Sequence, residues 1–278
     1  MHPSAMLNGR LFFDTYIVPM GEVVVADVGA QDVNGSLRDA CPPGVSYIGI
    51  DFEQAKGVDV VLTDPYSIPL ESESVDAVVS SSCFEHSEMY WLVFQEILRI
   101  LRPHGLLYLN VPSNGVFHRY PVDCWRFYPD AGSALVTWAR RCGINAALLE
   151  SYISRRDVET WNDFVAVFLK DEGLIGRHPR RILSSLKDFE NGKLHGQKDI
   201  LNPAIWPEEQ RLVSELQRRN DLLSRNLDHM ASAVLSAAGE LTECVNTTPA
   251  SSEPNQNLRN RLGLIRDRLL TIHNSVHG

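Results

Sequence analysis

Residues 23–36 have the sequence VVVADVGAQDVNGS. The β-branched apolar residues at its start predict a buried strand, and Asp27 and Gly29 lie at the end of that strand. A ligand can approach such a turn closely, because glycine has no Cβ and a following helix presents free backbone N–H groups. The stretch is not GxGxxG, so it does not predict a pyrophosphate site. It predicts the first strand and the ligand-binding turn of an α/β domain.

Short apolar runs alternate with amphipathic or polar segments from Glu22 to Leu169, which is typical of βαβ units and a mainly parallel sheet. The predicted strands are 23–28, 46–50, 58–62, 76–80, 105–111, 146–152 and 163–168. The predicted helices are 35–40, 90–101 and 131–142. We therefore expect an α/β domain in residues 1–170, built on a doubly wound, seven-stranded, mainly parallel sheet.

Acidic residues follow two further predicted strands, Asp51 after the second and Asp64 after the third. A carboxylate about twenty residues beyond the glycine turn can bind both hydroxyls of a ribose. Acids at three successive strand ends therefore suit a nucleoside ligand without phosphates. Taken singly, Gly29 also fits a packing or turn glycine, and Asp51 and Asp64 also fit helix caps.

Two later motifs carry a family resemblance: DAVVSSSCFEH at 76–86 and LRILRPHGLL at 98–107. With the strand-end acids, they make residues 22–169 resemble the class I S-adenosylmethionine-dependent methyltransferases, particularly the methyltransferase type 11-like group. His104 stands where the family usually has glycine, and 30–32 departs from the usual glycine-rich turn. The resemblance implies a Rossmann-like methyltransferase fold and S-adenosylmethionine as cofactor.

The resemblance also assigns cofactor-binding residues. It implies that Asp27 and Gly29 lie near the methionine part of the cofactor, that Asp51 binds the ribose and that Asp64 faces the adenine. It further implies that the motif at 76–86 runs beside the sulfonium of the cofactor, and that Ser81 in this motif contacts the cofactor.

The least generic segment is VPSNGVFHRYPVDCWRFYPD at 111–130, after the fifth predicted strand. Substrates bind at this edge of doubly wound sheets, and function is common on loops held by a rigid sheet. The side chains predicted to bind a polar acceptor are Arg119, Tyr120, Trp125 and Arg126. A polar loop that satisfies its own hydrogen bonds is the alternative. The segment is similar to predicted methyltransferases of bacterial surface-polysaccharide clusters.

Methyl transfer to a hydroxyl group gains from a base within about 3 Å of the acceptor. His118 is the first candidate for this base and His86 the second, although His86 also fits a capping or packing role. Asp123 is a candidate to orient the imidazole or to bind the acceptor. The acids are scattered along the sequence, and no metal site is predicted.

The chain beyond residue 170 changes character. A polar connector at 171–205 precedes a predicted coiled-coil helix at 206–245, a linker at 246–257 and an amphipathic helix at 258–278. The coiled-coil positions, which we call the seam, are Val213, Leu216, Asn220, Leu223, Leu227, Met230, Val234, Ala237 and Leu241. Asn220 at an a position favours two strands, so a homodimer is expected. The alternatives are that the seam packs on the α/β domain of its own chain, or that it packs against the last helix in a hairpin within one chain.

Composition limits the other function classes. A net charge of −9 argues against nonspecific nucleic-acid binding, and no run of 18 apolar residues predicts a membrane span. The five cysteines contain no CxxC pair, and no secretory signal is visible, so a cytoplasmic location is expected. Arginines beside the apolar stripe of the last helix suggest a peripheral contact with the inner face of a membrane.

The predicted function is transfer of a methyl group from S-adenosylmethionine to a polar acceptor, with a sugar hydroxyl of a bacterial surface glycan as the favoured acceptor. An interaction protein on a catalytically weak methyltransferase scaffold is the alternative. A nucleotide-dependent oxidoreductase is less favoured, because the dinucleotide glycine pattern is missing.

Overall fold

The computed structural model describes residues 2–155, 162–247 and 253–277. The chain divides into two compact units, Met1–Ile205 and Trp206–Gly278. None of the helices in the described ranges combines the length and the apolar character that crossing a bilayer requires.

The first unit contains eight strands and three α-helices among its described residues. In chain order these are α1 Pro3–Phe12, β1 Val24–Val28, β2 Ser46–Asp51, β3 Val60–Val61, β4 Val75–Ser81, α2 Tyr90–Ile100, β5 Leu101–Pro112, α3 Ala131–Arg141, β6 Ala147–Ser154, β7 Asp163–Leu169 and β8 Phe189–Leu194.

These strands form one sheet in the order β3-β2-β1-β4-β5-β7-β6-β8. The five strands from β3 to β5 are parallel, and the pairs β5–β7, β7–β6 and β6–β8 are antiparallel. The structure confirms the predicted doubly wound arrangement, in which the strand order changes direction between β1 and β4. Such a switch point opens a crevice at the carboxyl ends of the strands.

The predicted count of seven strands is wrong, because β8 adds an eighth at the β6 edge of the described sheet. The sequence of β8, FENGKL, is not a continuous apolar run, and Asn191 within it has a φ of 50°. The helix predicted at 35–40 is also wrong, since the structure has only a short 3-10 turn at Leu37–Ala40. The third predicted strand, 58–62, is reduced to two residues.

Two hydrophobic clusters cover the two faces of the sheet, and the alternation of side chains along each strand divides its residues between them. In β1, Ala26 and Val28 belong to one cluster and Val25 to the other. The first cluster contains Phe94, Ile97 and Leu98 of α2, whereas the second contains Phe12 of α1 and Phe13, Tyr16 and Ile17 just after it. Helical segments therefore cover both faces of the sheet, as in a doubly wound fold.

Glu150 of β6 ties the N-terminal segment and the connector to the sheet. Its fully buried carboxylate accepts hydrogen bonds from Tyr16 Oη at 2.5 Å, Ile182 N at 2.7 Å and Leu183 N at 2.9 Å. Burial raises the pKa of Glu150, and these donors partly offset that effect. One buried acid thus joins three segments that are distant in sequence.

The second unit consists of helices α4 Glu208–Thr247 and α5 Glu253–His277, which contact each other. Helical residues therefore occupy both ends of the segment predicted as a linker at 246–257, and 248–252 lie outside the described residues. The least exposed positions of α4 are Ser224, Asp228, Ala231, Leu235, Ala238 and Thr242. These differ from the seam, whose large apolar side chains remain 43 to 65% exposed.

Candidate active site

A pocket of about 540 Å³ opens at the carboxyl edge of the sheet, beside the switch point between β1 and β4. The turns after β1, β2 and β4 supply one side of its wall, and residues 120–122 of the loop after β5 supply the other. Of the predicted site residues, Gly29, Asp51, Ser81, His86 and Tyr120 line this pocket. Its volume is in the range of small-molecule and cofactor sites.

Gly29 allows the ends of β1 and β4 to approach closely. Its φ is +91°, and a Cβ at this position would lie 2.6 Å from the Cβ of Cys83. The amide groups of Gly29 and Ala30 both donate to the carbonyl of Ile50, at 2.9 and 3.2 Å. These contacts hold the turn after β1 against the end of β2.

Asp51 lines the pocket at the end of β2, where it is only 6% exposed. Its Oδ2 accepts from Gln31 N at 3.0 Å and its Oδ1 from Phe52 N at 2.7 Å. Burial raises the pKa of Asp51, although the backbone donors partly counter this. The apolar side chains of Phe52 and Leu62 line the same part of the pocket, so a planar base has a surface to pack on beside this carboxylate.

Asp27 and Asp64 do not line the pocket. Asp27 is buried behind it, where Tyr47 Oη donates to its Oδ2 at 2.8 Å and burial raises its pKa to about 7. Asp64 is exposed, and its Oδ1 accepts from Tyr66 N at 2.9 Å within its own turn. Their side chains therefore support the pocket wall, whereas Asp51 presents a carboxylate to the pocket.

The end of β4 passes through the middle of the pocket wall at Ser81, Ser82 and Cys83. Ser82 has a φ of 52°, a conformation that is uncommon for residues other than glycine and is found at functional sites. Buried Asn110 fixes this turn, because its carbonyl accepts from Ser82 N at 2.9 Å and its Nδ2 donates to Ser81 Oγ at 3.5 Å. Asn8 of α1 donates in turn to Asn110 Oδ1 at 3.2 Å, which links α1 to the pocket.

The loop at 113–130 is fastened to the turn that follows β4. Val122 O lies 2.5 Å from His86 Nδ1, Cys124 N donates to the carbonyl of Glu85 at 2.7 Å, and Trp125 Nε1 donates to the carbonyl of Ser87 at 2.9 Å. On the opposite side, Tyr120 Oη donates to Gln31 Oε1 at 2.5 Å. Tyr120 therefore bridges the loop at 113–130 and the turn after β1.

The two candidate bases lie side by side. The ring centroids of His86 and His118 are 4.9 Å apart in an edge-to-face arrangement, and His86 lines the pocket wall. His118 N donates to Asp123 Oδ2 at 2.7 Å, and its ring Nδ1 lies 3.5 Å from the same oxygen. Burial lowers the pKa of His86, so a neutral imidazole faces the pocket near pH 7.

Asp123 and Arg126 form a bidentate ion pair, with N–O distances of 2.5 and 2.9 Å. The Asp123 side chain is 1% exposed, and the Arg126 guanidinium holds its pKa down at about 2. Arg119 is exposed, whereas Trp125 is 36% exposed and packs edge-on against Tyr90 and Trp91. Arg119 and Trp125 are therefore accessible from solvent, whereas Asp123 is engaged within the protein.

These elements match a known family. Residues 29–109 match the methyltransferase-domain family. The matched range runs from the glycine turn after β1 almost to the end of β5, and the match supports S-adenosylmethionine as the cofactor.

The chain also resembles individual proteins. Phthiotriol/phenolphthiotriol dimycocerosates methyltransferase 1 of Mycobacterium ulcerans is 33% identical over 104 residues, 32% of this chain and 35% of that protein. The chain thus spans about a third of the length of this curated relative. The Burkholderia thailandensis 1,6-didemethyltoxoflavin-N1-methyltransferase, solved with S-adenosylhomocysteine, has a TM-score of 0.47 at 16% identity, covering 60% of this chain and 79% of its own.

A further solved structure, an S-adenosylmethionine-dependent methyltransferase from Aquifex aeolicus, has a TM-score of 0.38 at 15% identity, over 60% of this chain and 94% of its own. Structural similarity at this level carries no information about the acceptor.

The site residues that were not predicted from the sequence include Gln31, Phe52 and Glu85. Gln31 and Phe52 each lie within two positions of a predicted residue, so the neighbours of Gly29 and Asp51 could have suggested them. Glu85 stands within the quoted motif at 76–86 and proves to be 1% exposed beside His86. A carboxyl group next to a histidine at a strand end was the available indication.

Proposed function

We propose that the methyltransferase domain transfers a methyl group from S-adenosylmethionine to a hydroxyl group of a sugar in a bacterial surface glycan. The observation that carries this proposal is the continuous pocket that joins the strand ends at Gly29 and Asp51 to His86, after β4, and to Tyr120 of the loop at 113–130, which we call the acceptor loop. Methyl transfer is an in-line displacement, so a donor and an acceptor must share one such space.

On the cofactor side, Asp51 is proposed to bind the ribose hydroxyls, and Phe52 and Leu62 to pack on the adenine. Gly29 is proposed to lie near the methionine part of the cofactor and Ser81 beside the sulfonium, and both line the pocket. Asp27 is proposed to act from behind the wall through Tyr47, and Asp64 through its neighbours Thr63 and Pro65, which line the pocket.

On the acceptor side, exposed aromatic side chains favour a sugar. Phe117 is 74% exposed and Tyr120 44% exposed, both on the acceptor loop. Aromatic rings cover the apolar faces of sugar rings, and Arg119 adds a solvent-exposed donor for hydroxyl or anionic groups. We infer that these residues hold the acceptor while its reacting hydroxyl enters the pocket.

During transfer, the acceptor oxygen forms a bond to the methyl carbon, and the carbon–sulfur bond breaks with its electron pair on sulfur. The hydroxyl proton must leave as well. His86 is the better placed acceptor for this proton, because it lines the pocket, and its Nδ1 bond to Val122 O leaves Nε2 as the basic nitrogen. His118, the first choice from the sequence, lies beside His86 and next to Asp123.

Calorimetry followed by a labelling assay tests this function. We expect S-adenosylmethionine and S-adenosylhomocysteine to bind with micromolar affinity and NAD not to bind. With methyl-labelled S-adenosylmethionine, glycan fractions of a bacterial lysate should gain label as an O-methyl sugar. Absence of cofactor binding would favour the scaffold alternative, and label in protein or free amines would overturn the glycan acceptor.

A further inference from the structure

Three side chains that commonly bind metals converge on the acceptor side of the pocket. Ligand atoms of Glu85, His86 and His118 all lie within 4.8 Å of one another. The first two follow β4, and His118 reaches them from the loop after β5. We propose that Glu85, His86 and His118 form a binding site for one divalent first-row transition-metal ion, with Zn²⁺ as the representative case.

Glu85 is the strongest indication of a cation-binding site. Its side chain is 1% exposed, and its buried Oε2 has no hydrogen-bond partner in the described structure. A carboxylate in such a buried position is costly unless it is paired or hydrogen-bonded. A bound divalent ion would satisfy both the unpartnered oxygen and the charge.

The histidines are oriented as metal ligands usually are. Val122 O lies 2.5 Å from His86 Nδ1, which places the proton on Nδ1 and the lone pair on Nε2, 3.8 Å from Glu85 Oε1. Near Nδ1 of His118 lie Val116 O at 3.3 Å and Asp123 Oδ2 at 3.5 Å. A carbonyl or carboxylate on the second ring nitrogen is the usual outer partner of a metal-bound histidine.

The surrounding charges leave the cluster able to accept a cation. Arg126 is the nearby positive group, and it is bound to both carboxylate oxygens of Asp123, so this pair is neutral as a whole. Glu85 then supplies the negative charge of the cluster. Because Asp123 neutralises Arg126, the charge of Arg126 does not oppose binding of a cation beside Glu85.

The donor set selects the class of metal. Two imidazoles and one carboxylate suit zinc and its first-row neighbours, whereas Mg²⁺ and Ca²⁺ prefer sets of oxygen ligands. Ligands of a tetrahedral ion lie about 3.4 Å apart at the usual bond lengths. The three groups, now within 4.8 Å, therefore need to close by at most about 1.4 Å, which side-chain rotation can supply.

Three protein ligands leave at least one coordination position open, and His86 lines the pocket. If the proposed methyl transfer holds, an acceptor hydroxyl in that position would lose its proton to solvent more readily, since a metal lowers the pKa of a bound hydroxyl. With its Nε2 on the ion, His86 would then act as a ligand in place of its role as the base. This consequence rests on the proposed function, whereas metal binding itself does not.

The experiment measures binding of Zn²⁺ and Co²⁺ to the full chain by calorimetry and visible absorption, without cofactor or acceptor and after removal of metals by chelator. We expect one ion per chain, and at least tenfold weaker binding for His86→Ala, His118→Ala and Glu85→Gln. The matched control is His195→Ala, which removes a histidine paired with Glu172 at 2.8 Å elsewhere in the fold. It should bind as the parent does.

Cys124→Ser is a second control, because this exposed thiol belongs to the same loop. It should leave binding intact. Any of three results would overturn the site. The parent protein could show no saturable binding, His195→Ala could weaken binding as much as the cluster variants do, or Cys124→Ser could lose binding. His118 is 38% exposed, so His118→Ala keeps the test valid if Glu85→Gln does not fold. Calorimetry with S-adenosylmethionine on the same samples separates failure of the metal site from failure of the proposed function.

Discussion

At the scale of the residue, the pocket depends on positions where a side chain is either required or not tolerated. Asp51 presents a carboxylate to the cofactor side, while Gly29 presents no side chain at all. Substitution at the first should remove a ligand contact, and substitution at the second should move two strand ends apart. We therefore expect substitution of Asp51 to weaken mainly cofactor binding, and substitution of Gly29 to weaken both cofactor binding and the stability of the fold.

Asp51→Ala should weaken S-adenosylmethionine binding at least tenfold, or about 1.4 kcal/mol, because two hydroxyl contacts to a partly desolvated carboxylate are lost. Calorimetry measures the change. Asp51→Asn should weaken binding less, since it retains one acceptor oxygen. Asp39→Ala, at an exposed position outside the pocket, is the control and should bind normally. Unchanged affinity in Asp51→Ala would remove Asp51 from the site.

Gly29→Ala should lower the free energy of unfolding by about 2–3 kcal/mol and weaken cofactor binding at least tenfold. The added Cβ combines a φ of +91° with a 2.6 Å approach to Cys83. Gly143→Ala is the matched control, because its φ is +82° but nothing lies within 4 Å of the added atom. It should cost about 1 kcal/mol and leave cofactor binding unchanged. Equal losses in the two variants would show that crowding at Cys83 is unimportant.

At the scale of the element, the sheet is held to segments that the strand pattern does not reveal. The helical segment before β1 covers one sheet face, and the connector after β7 contributes β8 and Leu183. Both meet at the buried carboxylate of Glu150. The N-terminal segment and the connector are thus part of the folded core of the first unit.

Glu150→Ala should lower the free energy of unfolding by about 3 kcal/mol, because it leaves one hydroxyl and two backbone N–H donors buried without an acceptor. Denaturant unfolding followed by circular dichroism measures this change. Tyr16→Phe removes one of these donors and should cost about 1 kcal/mol. A loss below 1 kcal/mol in Glu150→Ala would mean that Tyr16, Ile182 and Leu183 find other partners.

The elements that the sequence predicted well are those with a local hydrophobic pattern. The buried strands β1, β4 and β7 and helix α2 were found because nearly every residue of a covered strand is apolar and the helix has a 3.6-residue period. Strand β8 was missed because its partner, β6, and not its own composition determines that it pairs.

At the scale of the whole molecule, the long helix α4 spans the entire predicted seam. Its contact with α5 pairs the two helices within one chain, as in the alternative interpretation of a hairpin, although that interpretation placed the seam itself in the contact. The seam nevertheless stays exposed, with Leu223 at 60% and Met230 at 65%. We propose that a second copy of the chain covers it, because the seam repeats in heptads and Asn220 suits a two-stranded interface.

Light scattering should therefore show a dimer at micromolar concentration. Leu223→Glu combined with Leu227→Glu should give a monomer, since charges on the seam oppose its burial. Ser232→Glu combined with Ser236→Glu, at exposed positions off the seam, is the control and should remain a dimer. A monomeric parent protein would rule out a stable homodimer, as would a double seam variant that stays dimeric.

The sequence by itself determined the order of the main strands and helices along the chain, and the positions of Gly29, Asp51 and Ser81 at strand ends. Local hydrophobicity and glycine chemistry set these features, and both can be read without knowing what lies nearby. Only the tertiary structure decided which acids reach the pocket. Asp51 does, while Tyr47 engages Asp27 and the local turn engages Asp64.

The same holds for the convergence of Glu85 and His86 with His118, because residues far apart in sequence meet only where the loop after β5 folds back on the turn after β4. Hydrogen bonds between that turn and Val122, Cys124 and Trp125 fix the contact. Which face of α4 is buried was likewise decided by α5. A sequence pattern identifies a surface that needs a partner, but only packing shows which partner covers it.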